Sequence, residues 1–225
     1  TMADAHNGSP TTFAPRRLSK SKYLSGLQCH KRLYLEIHQP ALATPPDAST
    51  QAILDMGTEI GVLAQQRFRG GVLVKSGFRQ RAAAIAETAV LLQDPMIPAI
   101  FEGAFEYDGV LVRVDILERV QNGEGGSSSW RLIEVKSSTR VKDVHLDDLS
   151  IQSHVVLGAG LRLDATCLMH IDTGYLYRGG EVDLQALFSI EDVSEAVTDR
   201  RGSVPERLAT MKVILLESKA PRIEP

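Results

Sequence analysis

Apolar and polar residues follow a helical period through most of the first third of the chain. The helical stretches are residues 19–38, 50–68 and 79–93. We expect Gly26 to divide the first stretch into two short helices, and Ser49 or Thr50 to cap the second. A short apolar run at 71–75 predicts a strand, and Asp94-Pro95 predicts the end of the third helix.

A strand pattern replaces the helical period over the middle of the chain. Its apolar segments are residues 100–108, 110–120 and 130–138. Asp108-Gly109 between the first two is typical of a tight hairpin turn, and the Gly- and Ser-rich residues 121–129 predict a flexible connector to the third. Three consecutive strands are therefore expected to lie side by side.

Helical and strand patterns alternate again after the third strand. We predict a helix over 143–160, a strand over 165–172 with 175–180 pairing to it, and helices from Asp183 that restart near Pro205. This order of elements indicates an α/β protein with a central mixed sheet of about four to five strands flanked by helices.

Composition narrows the class of protein. The 225 residues, 43% of them hydrophobic and 24% charged, suit a globular domain of ordinary size with a real core. No apolar run approaches the roughly 18–20 residues that span a bilayer, and the start of the chain has no secretory signal. We therefore expect a cytoplasmic protein with no membrane contact and no disulfide, whose residues 1–17 are a disordered tail or one added for expression.

Charge is unevenly distributed along the chain. Residues 1–81 carry 11 Lys and Arg against 5 Asp and Glu, whereas residues 82–225 carry 14 against 23. A basic half beside an acidic half is compatible with a surface that binds phosphates and a pocket that holds cations. Ordinary fluctuation of surface charge is the alternative.

The residues most informative about chemistry lie on two of the predicted strands. Glu134 and Lys136 point to one face of their strand because alternate residues do so, and Asp115 lies within the apolar segment before them. If the two strands are neighbours, two carboxylates and an ammonium converge, which suits hydrolysis assisted by Mg²⁺. The alternatives are a solvent-facing Asp115 paired with Arg113, and an exposed ion pair between Glu134 and Lys136.

The helix after these strands carries a polar stripe. His145, Asp148 and Gln152 are spaced to share one helical face, which could orient a phosphate or a water, or could simply face solvent. Gln152 has the better case for a role because apolar residues surround it. Three apolar residues off the stripe are expected to contact the core: Val144, Ile151 and Val155.

Three other positions are weighed as ligands. Glu59 lies between two glycines of a predicted helix, where it could join a metal site or face solvent. Cys29 alone cannot build a zinc or iron–sulfur centre, which needs four ligands, and Cys167 suits a buried core thiol. The chain has no Walker-type glycine loop and no G-x-S-x-G elbow.

Longer motifs accompany these residues. They are S-K-S-K-Y-L-S-G-L-Q-C-H-K-R-L-Y-L-E, G-T-E-I-G-x-L-A-Q-Q-R-F, F-E-G-A-F-x-Y-x-G-V-L-V-R-V-D-I-L-E-R and L-I-E-V-K-S-S-T-x-V-K-D-V-H-L-D-D-L-S-I-Q. With the D…E-x-K…Q set, they resemble the PD-(D/E)xK phosphodiesterase superfamily. Within it they are most similar to the RecB-like branch, with its CRISPR-adaptation iron–sulfur exonucleases, and to a bacterial family that carries this module at its N-terminus. The likeness spans residues 18–190 and implies a restriction-endonuclease-like core, followed by a helical extension over 191–225.

This resemblance implies a Mg²⁺- or Mn²⁺-dependent deoxyribonuclease that acts on DNA, single strands included. The implied catalytic residues are Asp115, Glu134, Lys136 and Gln152, and the implied metal ligands are Glu59, Asp115, Glu134 and the backbone carbonyl of Val135. Under the same hypothesis the expected contacts to DNA phosphates are Lys20, Lys22, Lys31, Arg32, Arg67, Arg69, Lys75, Arg79 and Arg81.

Two features depart from the family pattern. Val156 replaces the tyrosine of the Q-x-x-x-Y element, and Cys29 matches only the first of the four cysteines that hold a cluster in some relatives. An iron–sulfur cluster is therefore expected only if the native chain continues with further cysteines. The alternative functions are a catalytically silent nucleic-acid-binding or scaffold module of the same fold, and a small-molecule hydrolase using the same metal site.

Overall fold

The computed structural model describes residues 18–77, 79–120 and 129–223. The strands are β1 (Leu18–Ser19), β2 (Val72–Leu73), β3 (Ala99–Tyr107), β4 (Val110–Val120), β5 (Ser129–Lys136), β6 (Leu163–Ile171) and β7 (Phe188–Asp192). The helices are α1 (Lys20–Gln28), α2 (His30–His38), α3 (Ala48–Gln65), α4 (Arg81–Gln93), α5 (Asp143–Gly158), α6 (Leu184–Leu187), α7 (Ser194–Arg201) and α8 (Val204–Ile214), with a 3-10 turn at Pro40–Leu42. The predicted tail, residues 1–17, and residues 121–128 of the predicted connector lie outside the described residues.

One mixed sheet forms the centre of the protein. Its strand order is β2-β3-β4-β5-β6-β7, with β1 beside β4. The pairs β3–β4, β4–β5 and β6–β7 are antiparallel, whereas β1–β4, β2–β3 and β5–β6 are parallel. The predicted α/β class is confirmed, but the sheet has seven strands instead of four to five, because the pattern did not reveal β1, which has two residues, or β7, which has five.

Helices cover both faces of this sheet. On β5, Leu132 belongs to one buried cluster and Ile133 to another, as strand alternation requires. The first cluster includes residues of α1, α5 and α8, and the second includes Ala64 of α3. Val197 and Leu208 also belong to the first cluster, so the predicted C-terminal extension packs into the same core. None of the helices in the described ranges is both long and apolar enough to cross a membrane.

The turn between β3 and β4 follows the prediction. Asp108 has φ 50° and Gly109 has φ 72°, the left-handed pair that a two-residue hairpin turn matching the sheet twist requires. Tyr107 pairs with Val110 across it. This turn places β4, and with it Asp115, beside β3.

The sheet partner of β6 differs from the prediction. Residues 175–180 form no strand, and β7 pairs with β6 instead, with Ile190 opposite Met169. The apolar residues Phe188 and Ile190 alternate, and Phe188 is buried. Five residues between two helices carry too short an alternation to stand out from the helical pattern around them.

Three local details of the helices also differ. The break in the first helical stretch falls at Cys29, which is extended, whereas Gly26 lies inside α1, where a Cβ would come within 2.7 Å of Met211. Asp47, rather than Ser49 or Thr50, caps α3 by accepting from the Thr50 N–H at 2.7 Å. Ile151 and Val155 are buried as predicted, whereas Val144 is exposed in the first turn of α5.

Candidate active site

An interruption along one side of β4 marks the candidate site. β5 pairs with β4 only from Ile116 onward, and β1 pairs with β4 at Val110 and Leu111. Residues 112–115 pair with neither strand. Because β1 runs parallel to β4 and leads directly into α1, the first helical residue, Lys20, enters this gap from one end.

Asp115 lies at the other end of the gap. Continuing the antiparallel register from Ile116 and Ile133 would place it opposite Glu134. The backbone N–H of Val135 donates to Asp115 Oδ2 at 2.8 Å instead. The prediction that Asp115 and Glu134 lie on neighbouring strands is therefore confirmed. Where the backbone pairing of β4 and β5 ends, the Asp115 side chain accepts the next hydrogen bond from β5.

Glu134 is the centre of a buried charged cluster. Lys20 Nζ donates to its two carboxylate oxygens at 3.0 and 3.1 Å, and Lys136 Nζ donates to Oε1 at 2.5 Å. Gln152 Nε2 donates to Oε2 at 2.7 Å. Each oxygen of Glu134 thus accepts two hydrogen bonds, and the same-face placement of Glu134 and Lys136 expected from strand alternation is confirmed.

Asp148 connects the same side chains from α5. Its Oδ2 accepts from Lys136 Nζ at 2.8 Å, and its Oδ1 accepts from Gln152 Nε2 at 2.9 Å. Lys20 Nζ lies 3.2 Å from Oδ1. Asp148 is only 3% exposed and His145 only 7% exposed, so the alternative of a solvated helix face is wrong for both.

The charges in the cluster shift one another's pKa. Burial alone would raise the pKa of Glu134, but Lys20 and Lys136 outweigh it and hold that pKa well below its usual range. Burial also opposes the charge of each lysine, yet Glu134 and Asp148 raise both lysine pKa values. Glu134 is therefore ionised and both lysines are protonated at neutral pH.

Carboxyl groups outnumber ammonium groups in the cluster. Its carboxylates are Asp115, Glu134 and Asp148, and its ammonium groups are Lys20 and Lys136. Burial, followed by repulsion from Glu134, raises the pKa of Asp115 to about 7. The same two causes raise the pKa of Asp148. Three carboxylates beside two cations are a physical reason for this site to bind a further cation.

The cluster opens into a cleft of about 670 Å³. Asp115, Glu134 and Lys136 line one wall, and α3 lines the wall facing them with Leu54, Gly57, Thr58, Gly61, Val62 and Gln65. A Cβ added at Gly57 or Gly61 would have no atom within 4 Å. The cleft therefore has room for a substrate between the backbone of α3 and the carboxylates.

A distorted residue on β3 borders the same cleft. Glu102 has φ 57°, an uncommon value for a residue with a side chain, and lies where β3 and β4 interrupt their pairing beside Asp115. Its Oε2 accepts from Arg113 Nε at 3.2 Å, and Arg113 Nη1 also donates to the Ser76 carbonyl at 2.7 Å. Arg113 thus pairs with Glu102, and the proposed alternative pairing with Asp115 is not formed.

The donor set around the gap fits Mg²⁺ or Mn²⁺. Asp115 and Glu134 offer hard carboxylate oxygens, and Asp115 Oδ1 accepts no hydrogen bond from the described residues. Residues 18–77, 79–120 and 129–223 contain no group of three His, Cys, Asp or Glu arranged to hold a metal. Ligation would therefore rest on two carboxylates, the Val135 carbonyl and water, a set that Mg²⁺ accepts because it keeps several waters.

Glu59 is not brought to these carboxylates. It is exposed, whereas Thr58 and Gly61 of the same helix line the cleft. The turn of the helix therefore directs Glu59 away from the site, and the structure does not place it among the candidate ligands. Cys29 is partly buried, Cys167 is buried in β6, and both are free thiols.

The nine basic residues expected to contact DNA fall into two groups. Those already engaged are Lys20 with Glu134, Lys22 and Arg32 with Glu36, Arg81 with Glu106, and Arg67 with the Phe188 carbonyl. The remaining four are Lys31, which is half-buried, and Arg69, Lys75 and Arg79, which are exposed. Lys75 lines the cleft, so it is the residue of this second group best placed to contact a substrate there.

Sequence reasoning assigned Lys20 to phosphate contacts and missed its place inside the carboxylate cluster. The parallel pairing of β1 with β4 brings Lys20 to the cluster, and a strand of only two residues shows no periodic pattern in the sequence. Comparison with known proteins adds no assignment: no protein-family model matches the chain, and no curated protein matches it.

Proposed function

We propose that this protein is a metal-dependent nuclease that hydrolyses phosphodiester bonds in DNA. The observation that carries the proposal is the meeting of Asp115, Glu134 and Lys136 at one wall of an open cleft, with the buried Gln152 donating to Glu134. Paired carboxylates beside an ammonium suit cleavage of an anionic ester. The resemblance of the sequence motifs to those of PD-(D/E)xK enzymes supports the same chemistry.

Each residue has a distinct task in this mechanism. Asp115, Glu134 and the Val135 carbonyl would hold Mg²⁺ or Mn²⁺, whose charge offsets the negative charge that develops on the scissile phosphate. Lys136 has a raised pKa and keeps its proton, so it orients the attacking water or donates to a phosphate oxygen and does not act as a base. Gln152 and Asp148 fix the positions of Glu134 and Lys136 through the hydrogen bonds described above.

A cleavage assay tests this function. The wild-type protein should cleave fluorescent single- or double-stranded DNA with Mg²⁺ or Mn²⁺ and stop in EDTA. Glu134→Gln and Lys136→Met should each slow cleavage by about 100-fold or more. Glu118→Gln is the matched control, because Glu118 lies on β4 beyond the cleft lining and pairs with Arg131. Cleavage at the wild-type rate by either site variant would refute the mechanism.

The silent nucleic-acid-binding module is the second candidate. It is favoured by the double occupation of both Glu134 oxygens, since a site filled by its own ammonium groups needs no metal. Calorimetric titration with Mn²⁺ separates the two candidates. Binding that disappears in Glu134→Gln favours the nuclease, whereas no heat from the wild-type protein favours the silent module.

A further inference from the structure

Lys20 occupies the position on Glu134 that a cation would take. Its Nζ lies 3.0 and 3.1 Å from the two carboxylate oxygens of Glu134, so it bridges them almost symmetrically. The same nitrogen lies 3.2 Å from Asp148 Oδ1. A single ammonium thus bridges two buried carboxylates that belong to different elements, β5 and α5.

The backbone brings Lys20 to this position. β1 pairs with β4 in parallel, and Lys20 is the next residue, at the start of α1. Ser19 caps the helix by accepting from the Lys22 N–H at 3.4 Å. The side chain of Lys20 remains 23% exposed, so the long methylene stem can withdraw the ammonium toward solvent without unfolding the helix.

The two lysines of the cluster are held unequally. Lys136 lies on the same strand as Glu134 and contacts Asp148 at 2.8 Å, whereas Lys20 contacts Asp148 at 3.2 Å. Lys136 engages only one oxygen of Glu134, but Lys20 engages both. Lys20 is therefore the ammonium that covers both oxygens of Glu134.

We propose that Lys20 is a built-in competitor of the metal, which pairs with Glu134 in the metal-free protein and is released when Mg²⁺ or Mn²⁺ binds. This inference rests on the proposed function, because it takes Glu134 as a metal ligand. Asp148 keeps a contact for the displaced ammonium, so the lysine exchanges two carboxylate partners for one. The metal concentration at which the site fills is then set by Lys20 as well as by the ligands.

The charge of Lys20 predicts how its replacement changes the affinity for a divalent cation. Replacing Lys20 with methionine preserves most of the stem but leaves three carboxylates facing one ammonium. A divalent cation then gains attraction and meets no competitor at Glu134. We expect Lys20→Met to bind Mn²⁺ about tenfold more tightly than the wild-type protein, a moderate factor because the lysine is partly exposed to solvent.

Calorimetric titration of metal-free protein with Mn²⁺ measures this change, with circular dichroism to verify folding. Lys212→Met is the control, because Lys212 also pairs with a carboxylate, that of Asp108, but lies outside the cluster. Its affinity for Mn²⁺ should equal that of the wild-type protein. Equal or weaker binding by Lys20→Met would overturn the inference.

A second measurement needs no folded Lys20 variant. In wild-type protein with ¹³C-labelled lysine, the side-chain resonance of Lys20 should shift on addition of diamagnetic Mg²⁺ with the same dissociation constant as metal binding, and that of Lys212 should not. A Lys20 signal unmoved at saturating Mg²⁺ would overturn the inference.

The outcomes for the inference and for the nuclease are distinct. If the wild-type protein cleaves DNA but Lys20→Met binds Mn²⁺ with unchanged affinity, the proposed nuclease function is supported and the proposal that Lys20 competes with the metal is refuted. If Lys20→Met binds Mn²⁺ more tightly but the wild-type protein cleaves no DNA, the competition by Lys20 is supported and the nuclease function is refuted. Absence of metal binding in both proteins overturns both.

Discussion

Asp115→Asn should stabilise the metal-free protein at high pH. The carboxylate has a pKa raised from 3.8 to about 7, first by burial and then by repulsion from Glu134. Since the folded state disfavours its ionisation, folding becomes less favourable as pH rises from about 4 to about 7, and the whole penalty is present above that range. Asparagine can still accept the Val135 hydrogen bond but carries no charge.

The magnitude follows from the pKa and from the exposure of the side chain. A pKa raised from 3.8 to about 7 corresponds to at most about 4 kcal/mol of lost stability. Asp115 is partly exposed to the cleft, so solvent screens part of this penalty. We therefore expect Asp115→Asn to raise the free energy of unfolding by roughly 1–2 kcal/mol at pH 8 and by nearly nothing at pH 4.

Urea unfolding at several pH values provides the assay, with the fluorescence of buried Trp130 as the probe. Asp192→Asn is a control of opposite sign, because hydrogen bonds from Ser194 lower the pKa of Asp192, and its loss should destabilise the protein at pH 8. Saturating Mn²⁺ should reverse the order of wild type and Asp115→Asn, since only an ionised Asp115 can bind it. An Asp115→Asn variant no more stable than wild type at pH 8, or a difference independent of pH, would refute the reasoning.

Four further predictions concern the cleft, the core and the two thiols. Glu102→Val should be about 1 kcal/mol less stable than Glu102→Asn in urea unfolding, because a branched side chain disfavours φ 57° and both variants lose the same ion pair; equal stabilities would show that the distortion relaxes. Gly57→Ala should raise the free energy of unfolding by about 0.5–1 kcal/mol, since alanine favours helix and a Cβ there meets no atom. Gly71→Ala should lower it by about 1–3 kcal/mol because its Cβ would lie 2.2 Å from an aromatic ring of β3; a lower unfolding midpoint for Gly57→Ala, or an unchanged one for Gly71→Ala, would contradict the respective prediction. Burial raises the pKa of the Cys167 thiol to about 11, so a thiol reagent should modify Cys29 first in the folded protein, and equal rates would contradict that burial.

Local pattern predicted most of the larger elements. The alternation in β3, β4 and β5 and the helical period of α5 are read from consecutive residues, so each needs no knowledge of distant contacts. The Asp108-Gly109 turn is local in the same sense, because its left-handed backbone depends on those two residues. The pattern did not reveal the pairing of β1, which has two residues, or of β7, a short strand between helices.

Some contacts of the candidate site also follow from local sequence pattern, whereas others depend on how distant elements pack. Glu134 and Lys136 lie together because residues two apart on a strand share a face, a property of the sequence alone. Burial of Asp148 and the hydrogen bonds of Gln152 depend on which face of α5 packs against the sheet, which the nearly even spread of apolar residues around that helix left open. The prediction for Gln152 rested on its apolar surroundings and on the resemblance to the PD-(D/E)xK superfamily, and that for Asp148 stayed open between two alternatives.

Local pattern was enough to predict the strands that carry Asp115, Glu134 and Lys136, and the shared face of the last two, because side-chain direction follows from spacing along one strand. The groups around them are brought there by tertiary contacts. The parallel pairing of β1 with β4 joins residues about ninety positions apart, and it carries Lys20 into a cluster with carboxylates more than a hundred residues away. Contacts over such separations form only when distant parts of the chain fold together, so local periodicity cannot predict them.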